Sequence, residues 1–500
     1  MKKITIILSL AAALTLSGCT SGFDRINHNN NEPAYGQINP MNMLQSLLQS
    51  VGDDMLYRTW SLNGELVQYT VSGTSNQSFH RYVIPNTAQA STWNNFSRNA
   101  ANADEMRRLA IDQENANAEA IALVLRALML SNVTDCYGDI PFSEAFGLIN
   151  GSANPKPKFD PQKDVYEALL SDLERANSLW APAEKIDATK DLLYGGDIAK
   201  WQKFGNSLYL RLLMRLSNRD NVMEVGKKIR QIVMNPDRYP VFASNDDNAT
   251  FYYNDVEPFA NYFGPTASSS FTGSRRACAT IIDMMQYCGD PRISCYFTQG
   301  AERWKGEESG MPVQETELDG IAHLNRSNLA DYSSPYSIMK YDEVLFICSE
   351  AAFRGWLDGG NIAAGNYYKA AIEASVRFWA SIDRSGLVVT DHTMSNFMMK
   401  VPYDNTLEQI LNQKYVALFF VGYEAWHEYR RTGFPKLVIG TATSNDHILP
   451  TRFVYPDNTS NVNVDNYRDQ VLRLRQVYFG GDDMKTPVWW SLKAVTEGIQ

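Results

Sequence analysis

Apolar residues in this chain recur mostly every three or four positions, which is the spacing of an amphipathic helix. Leu44, Leu47, Leu48, Val51 and Met55 form the first such series. Side chains at these intervals share one face of a helix. The pattern therefore predicts a helix that begins near Leu44 and buries one side.

Further helical series follow, and some of them have recognisable ends. Asp160-Pro161 is typical of a helix start, with Asp as the cap and Pro at the first helical position. Thr406-x-x-Gln409 has the form of a capping box. The predicted helical regions are residues 118–133, 160–176 and 197–216, with helix pairs around 340–380 and 404–431.

One predicted helix carries a more specific pattern. Trp201-x-x-Phe204-Gly205-x-x-Leu208 is close to the W-x2-L-G-x2-Y opening of a tetratricopeptide repeat. Repeats of this kind stack, so that each unit buries its apolar face against its neighbours. The sequence therefore predicts a mainly α fold on a scaffold of tetratricopeptide-like helix pairs.

Two stretches, residues 235–335 and 435–490, interrupt the helical pattern. They are rich in Asn, Asp, Ser, Gly, Pro and Tyr, and their hydrophobic periodicity is weak. We interpret them as long irregular loop insertions in the helical scaffold. Loops of that length in a compact protein are usually functional, so we expect a ligand site to be built there.

The first residues have the pattern of an export signal. Lys2 and Lys3 precede a mostly apolar stretch that ends in Leu16-Ser17-Gly18-Cys19. That stretch is too short for a stable membrane-spanning helix. Its end resembles the lipobox of bacterial lipoproteins, in which the cysteine carries acyl chains such as palmitate and becomes the new N-terminus.

This resemblance sets the expected organisation of the chain. We predict a signal peptide over residues 1–18, a lipidated tether over 19–40 that begins at Cys19, and a single domain over 41–500. Acyl chains contribute about 0.8 kcal/mol per buried CH₂, so several together hold a protein firmly to a membrane. Thr20 follows the cysteine instead of Asp, which favours the outer membrane by similarity to the enteric sorting rule.

Composition narrows the class of partner. The formal net charge is −10, and an acidic surface disfavours nucleic acid. The chain has 10 Trp and 26 Tyr, which combine an apolar ring with a polar edge and suit wet interfaces. We expect most of these aromatic residues to lie in the core all the same.

The cysteines beyond Cys19 have no metal-binding spacing. Cys136 and Cys348 lie in apolar helical contexts and are expected to be buried thiols. A disulfide among Cys278, Cys288 and Cys295 is compatible with an exported protein, although the sequence does not select a pair. The sequence therefore predicts no metal site at these cysteines.

Catalytic motifs are absent from the sequence. The chain has no GxGxxG and no GxxxxGK[ST] loop, so we expect no nucleotide cofactor. His427-Glu428 begins like a zinc-protease helix, but Arg431 stands where the second His would be needed. Residues 245–248, with the sequence NDDN, lack the glycine and glutamate of a calcium loop and are expected to form a solvated turn. We predict neither a catalytic cluster nor a bound metal.

Several strings, in order along nearly the whole mature chain, resemble one family. The strings are Phe23-Asp24-x-Ile26-Asn27-His28, Tyr137-Gly138-Asp139-Ile140-Pro141-Phe142, Trp201-x-x-Phe204-x-Asn206-Ser207-Leu208, Glu350-Ala351-Ala352-x-Arg354-Gly355-Trp356, Gly422-Tyr423-Glu424-Ala425-Trp426-x-Glu428-Tyr429-Arg430-Arg431-Thr432-Gly433, Arg452-Phe453-x-Tyr455-Pro456 and Thr486-Pro487-Val488-Trp489-Trp490. They resemble the SusD/RagB-type nutrient-binding outer-membrane lipoproteins, and the SusD-like branch in particular.

The resemblance implies both a fold and a role. It implies tetratricopeptide-like helix pairs whose irregular insertions form the ligand face. It further implies a surface lipoprotein that covers a SusC-like, TonB-dependent transporter and passes an oligosaccharide or, in some members, a peptide into it. By this resemblance the protein performs no chemistry.

Ligand contacts are expected from loop aromatic residues, because the C–H faces of sugars pack on Trp and Tyr rings. Motif residues on helices, such as Trp201 and Trp426, are expected in the core instead, as is Trp93. Arg430 and Arg431 are expected to cap a helix C-terminus. The candidate ligand-binding residues are Trp60, Tyr69, Phe79 and Tyr82 in an early loop region, and Tyr252, Tyr253 and Tyr262 in a later one.

Two other readings compete with this one. A surface glycosidase or peptidase would need two carboxylates or a metal triad that converge in a cleft. A purely structural envelope protein would lack a ligand-sized pocket. The sequence alone does not identify the ligand.

Overall fold

The computed structural model describes residues 37–73, 78–146, 154–264, 269–312 and 319–499. The predicted signal peptide, the lipidation site Cys19 and most of the predicted tether lie outside these ranges. The first described element is a short 3₁₀ turn, Pro40–Met43, which Asn39 caps through its side chain.

Helices make up most of the described chain, which confirms the predicted mainly α fold. In chain order they are α1 (Leu44–Arg58), α2 (Gly64–Leu66), α3 (Asn86–Asp112), α4 (Ala116–Tyr137), α5 (Gln162–Leu179), α6 (Ile198–Arg215), α7 (Asp220–Met223), α8 (Val225–Val233), α9 (Ser269–Gly273), α10 (Ala279–Cys288), α11 (Ile293–Tyr296), α12 (Arg326–Leu329), α13 (Tyr341–Phe353), α14 (Gly360–Ile382), α15 (Asp391–Lys400), α16 (Leu407–Ala417), α17 (Glu424–Thr432), α18 (Asp457–Val462), α19 (Val464–Val477) and α20 (Leu492–Thr496).

The long helices pack as consecutive neighbours. Helix α3 packs on α4, α4 on α5 and α5 on α6, while α13 packs on both α14 and α16. Helix α4 is long and apolar enough to cross a membrane by length and composition, yet it is entirely buried in this protein. It is therefore the central core helix of the scaffold, with neighbouring helices stacked around it.

The strands are short and stand apart from the helix pairs. Strands β1, β3, β5 and β4 form one antiparallel sheet in that order, and β2 pairs with β6. The strands are β1 (Thr70–Ser72), β2 (Ala249–Phe251), β3 (Arg275–Ala277), β4 (Phe297–Thr298), β5 (His323–Leu324) and β6 (Tyr336–Met339).

A network of buried ion pairs joins the helices of the scaffold. Arg215 of α6 lies 3.3 Å from Asp135 of α4 and 3.0 Å from Glu428 of α17. Arg431 of α17 forms a two-pronged pair with Glu350 of α13, with both N–O distances 2.6 Å. Since each charge is buried with an opposite charge, the network links four helices without an uncompensated ion.

The structure changes the predicted role of Arg430 and Arg431. Arg430 donates hydrogen bonds to the backbone oxygens of Asp135 and Thr451, and Arg431 pairs with acids on other segments. They do not cap the C-terminus of their own helix, which ends at Gly433 with a φ of 75°. The prediction of capping was wrong because both side chains point into the core.

Two further predictions about helix boundaries need correction. Helix α5 begins at Gln162, and Asp160 accepts hydrogen bonds from the backbone N–H groups of Phe142 and Ser143 instead of capping the helix. The stretches interpreted as irregular also contain helices, including α10 and α19. By contrast, the Thr406 hydroxyl does cap α16 by accepting from the N–H of Gln409.

Candidate ligand-binding surface

Helix α1 ends in an unusual turn that displays an aromatic side chain. After Arg58 the backbone widens into a π-helical turn over Thr59–Asn63. Turns of this type occur frequently at functional sites. Tyr57 and Trp60 lie on either side of its start, with ring centroids 5.8 Å apart.

Other aromatic rings from distant parts of the chain join these two. Tyr262 lies 5.3 Å from Tyr57, and Phe263 lies 5.2 Å from Trp60, measured between ring centroids. Tyr262 is 43% exposed, whereas Phe263 is buried beneath it. We call this group the aromatic surface; its members are Tyr57, Trp60, Phe79 and Tyr262, which reach solvent to different extents, over the buried Phe263 and Phe271.

Trp60 is held firmly in place. Its indole N–H donates to the backbone oxygen of Phe271 at 3.2 Å. The guanidinium carbon of Arg275 lies 4.7 Å from the Trp60 ring centroid and 5.9 Å from that of Phe79. Since the polar atom of Trp60 already has a partner, what the residue can offer a ligand is apolar ring area.

Arg275 is itself held in place by buried groups. It pairs with the buried carboxylate of Glu65 at 3.3 Å and donates to the backbone oxygens of Trp60 and Ser61. Burial raises the pKa of Glu65, although Arg275 opposes that shift. The side chain of Arg275 thus connects β3 to the π-helical turn and sets the position of Trp60.

The segment before Tyr262 folds onto α1. Tyr253 packs on Phe251, and a methyl group at Gly52 would lie only 2.9 Å from the Tyr253 hydroxyl. Glycine at this position therefore permits the close approach. The buried Asn261 completes the anchoring through hydrogen bonds with the backbone of Tyr332 and Ser334.

A cavity of about 520 Å³ opens along α1 next to the aromatic surface. The residues that line it on α1 are polar and share one face of the helix, and the wall opposite is Pro258 and Phe259. The α1 residues are Gln45, Ser46, Gln49, Ser50, Asp53 and Asp54.

The two carboxylates of this cavity differ in their surroundings. Asp54 accepts hydrogen bonds from Asn95 and Asn99 of α3 and lies 3.5 Å from Arg98. Asp53 accepts only from the amide of Gln49, at 3.0 and 2.9 Å, and makes no ion pair within the described ranges of the chain. Burial raises the pKa of Asp53 to about 6, and the neighbouring acids add to the shift.

The structure places the seven predicted ligand residues in four kinds of position, and five of these residues lie at or near the surface. Trp60, Phe79 and Tyr262 belong to the aromatic surface. Tyr252 is 67% exposed on the segment that leads to it. Tyr253 is partly buried, and its hydroxyl is buried without a hydrogen-bond partner in the described chain. Whether these residues contact a ligand remains a proposal.

Tyr69 and Tyr82 are different, because the structure places both in the core. They are 2% and 1% exposed. The Tyr69 hydroxyl donates to the backbone oxygen of Tyr415, and the Tyr82 hydroxyl accepts from Gln68. Their burial does not support their selection as ligand contacts, since the residues around them form strand β1 and a 3₁₀ turn that pack inward.

The structure also resolves the question of the cysteines. Cys278, Cys288 and Cys295 are each free and buried, so the disulfide considered from the sequence is not formed. Burial raises the pKa of each of these thiols. Cys136 and Cys348 are buried free thiols, as predicted.

Sequence reasoning missed several residues of this region. Tyr57 could have been found, because it lies one helical turn before Trp60. Asp53 and Arg275 carried no local signal, since their importance depends on a cavity and on a contact across 215 positions of sequence. The described chain contains no cluster of three or more His, Cys, Asp or Glu side chains that could hold a metal ion.

The His427 and NDDN segments have structural roles. His427 is fully buried beside Arg430, and burial lowers its pKa well below the ordinary value. Asp247 pairs with Lys203 at 2.9 Å and forms a capping box with Ser244. Trp93 is half-buried, with edge-to-face contacts to Tyr137 and Tyr455.

Comparison with known proteins identifies the family to which this chain is similar. The sequence profile of the SusD-like family, described as starch-binding and associating with the outer membrane, matches residues 30–456. No curated protein sequence matches the chain.

Solved structures share the fold over nearly the whole chain. A SusD homologue from Bacteroides fragilis is 25% identical, with a TM-score of 0.76, and the match covers 91% of this chain and 100% of that one. A chitin-binding SusD homologue from Flavobacterium johnsoniae is 22% identical, with a TM-score of 0.73 and coverage of 90% and 97%. A further protein described as chitin-binding is 24% identical, with a TM-score of 0.75 and coverage of 91% and 100%.

These matches agree with the helical scaffold and with the motif strings in order along the chain. The family profile spans most of the sequence, from before the first described element to the segment before α18. This protein belongs to the SusD-like family of outer-membrane-associated proteins.

Proposed function

We propose that this protein captures an oligosaccharide on the aromatic surface and does not transform it. The observation that carries the proposal is the set of rings around Trp60, whose own indole N–H is bonded to the protein while the rings of Trp60 and Tyr262 keep accessible area. Sugar rings present C–H faces that pack on such surfaces. Their hydroxyls would find the carboxylates, amides and hydroxyls of the adjacent α1 cavity.

Rigidity of the surface favours binding. Trp60 is fixed by a hydrogen bond, by Arg275 and by packing on Phe271, so little side-chain freedom is lost when a ligand docks. The chitin-binding homologues of the same fold support a glycan as the ligand. A peptide is the alternative within the same family.

The cellular role follows from the family and from the N-terminal motif. We propose that the chain is a single domain anchored in the outer membrane through acyl groups on Cys19, and that it faces the cell exterior. There it would deliver its ligand to a SusC-like, TonB-dependent transporter. Labelling with radioactive palmitate in the producing bacterium should mark the wild-type protein and not Cys19→Ser; equal labelling would contradict the anchor.

The binding proposal can be tested by a glycan and peptide array followed by calorimetry on the chain from Thr20 onward. Trp60→Ala and Tyr262→Ala should each weaken binding of any captured glycan at least about tenfold, because each removes stacking area. Tyr287→Ala is the matched control: Tyr287 is 94% exposed on α10 and lies outside the aromatic surface, so its loss should leave affinity unchanged.

The outcomes separate the alternatives. Saturable glycan binding that is lost in Trp60→Ala and kept in Tyr287→Ala supports the proposal. Binding of peptides alone would replace the glycan with a peptide ligand. Failure of every glycan and peptide to bind, or binding that survives both aromatic variants, would contradict the proposed site.

A glycosidase is the second candidate, because Asp53 has the raised pKa of a general acid and lies in a cavity beside aromatic rings. A glycosidase needs a second carboxylate across the scissile bond. The nearby Asp54 is engaged by two amides and an arginine of α3. We therefore expect no release of reducing ends from any bound glycan, and release that disappears in Asp53→Asn would establish the enzyme.

A further inference from the structure

The cavity along α1 brings charge next to the aromatic surface. Asp53 lies one turn before Tyr57 on α1, and its charge acts on both Tyr253 and Tyr262. The cavity and the aromatic surface therefore form one continuous region on α1. Any oligosaccharide longer than the ring cluster would extend towards Asp53.

Charge around Asp53 is negative on balance. Its electrostatic neighbours are Asp54 on the same helix and Glu257 on the facing loop. The nearby arginines act on Asp54 instead: Arg98 of α3 lies 3.5 Å from it, and Arg58 is buried under Tyr57. The groups that face Asp53 from α1 and the loop are Gln49, Asp54, Tyr253, Glu257 and Tyr262.

A second observation in this region concerns the Tyr253 hydroxyl. The Tyr253 hydroxyl is buried against Gly52, next to Asp53, and has no hydrogen-bond partner among the residues described. Buried polar groups are nearly always satisfied, and exceptions call for an absent partner such as a water or ligand. The Tyr253 hydroxyl therefore lies close to the Asp53 carboxylate, which lines the cavity and makes no ion pair among the residues described.

We propose that Asp53 is the specificity-determining residue of this site, and that it selects neutral or cationic glycans and repels anionic ones. This inference rests on the proposed glycan-binding function. A sulfate or carboxylate on a sugar in the cavity would meet Asp53 and Glu257, whereas Arg58 and Arg98, the cations that the structure describes nearby, interact with Asp54. A hydroxyl or ammonium group would instead donate to the Asp53 carboxylate.

The repulsion should depend on pH in a defined direction. The pKa of Asp53 is about 6, so the carboxylate is charged at pH 7.5 and mostly protonated at pH 5. Discrimination against an anionic glycan should therefore weaken as the pH falls. It should also weaken with salt, because the interaction is electrostatic and the cavity is open.

The test uses maltohexaose and N-acetylchitohexaose, each in neutral and O-sulfated form, titrated into the chain from Thr20 onward. At pH 7.5 and low salt the neutral form should bind about tenfold or more tightly than its sulfated counterpart. Asp53→Asn should cut that ratio at least about threefold, and lowering the pH to 5 should do the same in the wild type only. Asp283→Asn removes an exposed charge on α10 and should leave the ratio unchanged.

Each result decides something. An unchanged ratio in Asp53→Asn, or an equal change in Asp283→Asn, overturns the role of Asp53 and leaves the proposed function intact. Failure of both neutral hexasaccharides to bind wild type and variant alike overturns the glycan-binding proposal, and this inference with it. Circular dichroism and a thermal melt confirm that Asp53→Asn is folded, so a change in the ratio cannot come from unfolding.

Discussion

In the helical scaffold, Arg215 and Arg431 meet buried carboxylates, whereas at the α1 cavity the only described hydrogen-bond partner of Asp53 is an amide. Arg431 binds Glu350 and Glu428 with N–O distances of 2.6 Å. Burial by itself would raise the pKa of Glu428, but Arg431 and Lys414 hold it well below its ordinary value. Among the described residues Asp53 has only the Gln49 amide to oppose burial, and its pKa rises to about 6.

Aromatic residues show the same contrast. Trp201 and Trp426 are fully buried, and their N–H groups donate to protein oxygens at 2.8 and 3.0 Å. Trp60 also has a hydrogen-bonded N–H, yet its ring is only half-buried. Tyr262, in the same aromatic surface, is exposed. In the scaffold, the rings and polar atoms of the tryptophans contact only other parts of the protein. In the aromatic surface, some ring area stays accessible to a ligand.

The comparison indicates that the scaffold mainly determines stability, whereas the aromatic surface and the α1 cavity mainly determine ligand binding. Substitutions in the scaffold should act on the free energy of unfolding. Substitutions at the aromatic surface and the α1 cavity should act mainly on binding, and some of them should stabilise the protein. The predictions below test this division.

The largest effect is expected for Arg431→Ala. It would remove the two-pronged partner of the buried Glu350, which would keep only its pair with Arg354 among the described residues. Breaking a buried pair costs about 3–5 kcal/mol. The free energy of unfolding, measured by urea denaturation, should fall accordingly. In Arg230→Ala, which removes an exposed pair with Asp358, the loss should be much smaller, because solvent screens an exposed pair. Equal losses in the two variants would contradict the division.

Trp201→Ala and Trp60→Ala form a matched pair of the same substitution. Trp201 is fully buried, so its removal should cost about 3–5 kcal/mol of stability. Trp60 is half-buried, and its removal should cost about 1–2 kcal/mol while glycan binding is lost. Thermal melts and calorimetry measure the two quantities. A Trp60 variant that binds as well as wild type would break the comparison.

Asp53→Asn should stabilise the protein at pH 7.5. The pKa of Asp53 in the folded state, about 6, lies above the ordinary 3.8, so the folded state binds the proton more tightly. The charged form therefore lowers stability above about pH 6, by up to about 3 kcal/mol, and this cost disappears as the pH falls towards 4. Urea denaturation across this range should show a gap between variant and wild type that closes at low pH. A gap that widens at low pH would refute the assignment.

The smallest effect is expected for Gly52→Ala. Alanine in a helix normally gains about 1 kcal/mol over glycine. Here the methyl group would lie 2.9 Å from the Tyr253 hydroxyl and 3.1 Å from the Phe251 ring, so we expect no gain and a net loss of about 1 kcal/mol. Gly273→Ala, whose methyl meets nothing within 4 Å, is the control for the thermal melt and should not destabilise.

Much of the scaffold could be predicted from the sequence, and the failures have physical causes. Helix α19 was missed because it buries only Gln470 and Leu474, so its sequence shows little apolar periodicity. Helix α10 does bury Ile281, Ile282 and Met285 at helical spacing. Its apolar spacing is hard to recognise because the surrounding residues 235–335 are rich in Asn, Asp, Ser, Gly, Pro and Tyr.

The candidate site was predicted only in part. Trp60, Phe79 and Tyr262 were selected because they are aromatic and lie near turns, and the same reasoning selected the buried Tyr69 and Tyr82. No local feature distinguishes these two groups. Exposure is decided by what packs over a residue, and for Tyr69 that is Tyr415, far along the chain.

The sequence by itself determined several of the long helices, the tetratricopeptide-like scaffold and the family. Helical periodicity arises from residues three and four apart, and motif strings are contiguous, so both can be read locally. Only the tertiary structure decided which aromatic rings face solvent, that Arg275 supports Trp60 and that Asp53 makes no ion pair in the part of the chain that the structure describes. Those properties depend on contacts between segments some 200 positions apart, which local pattern does not encode.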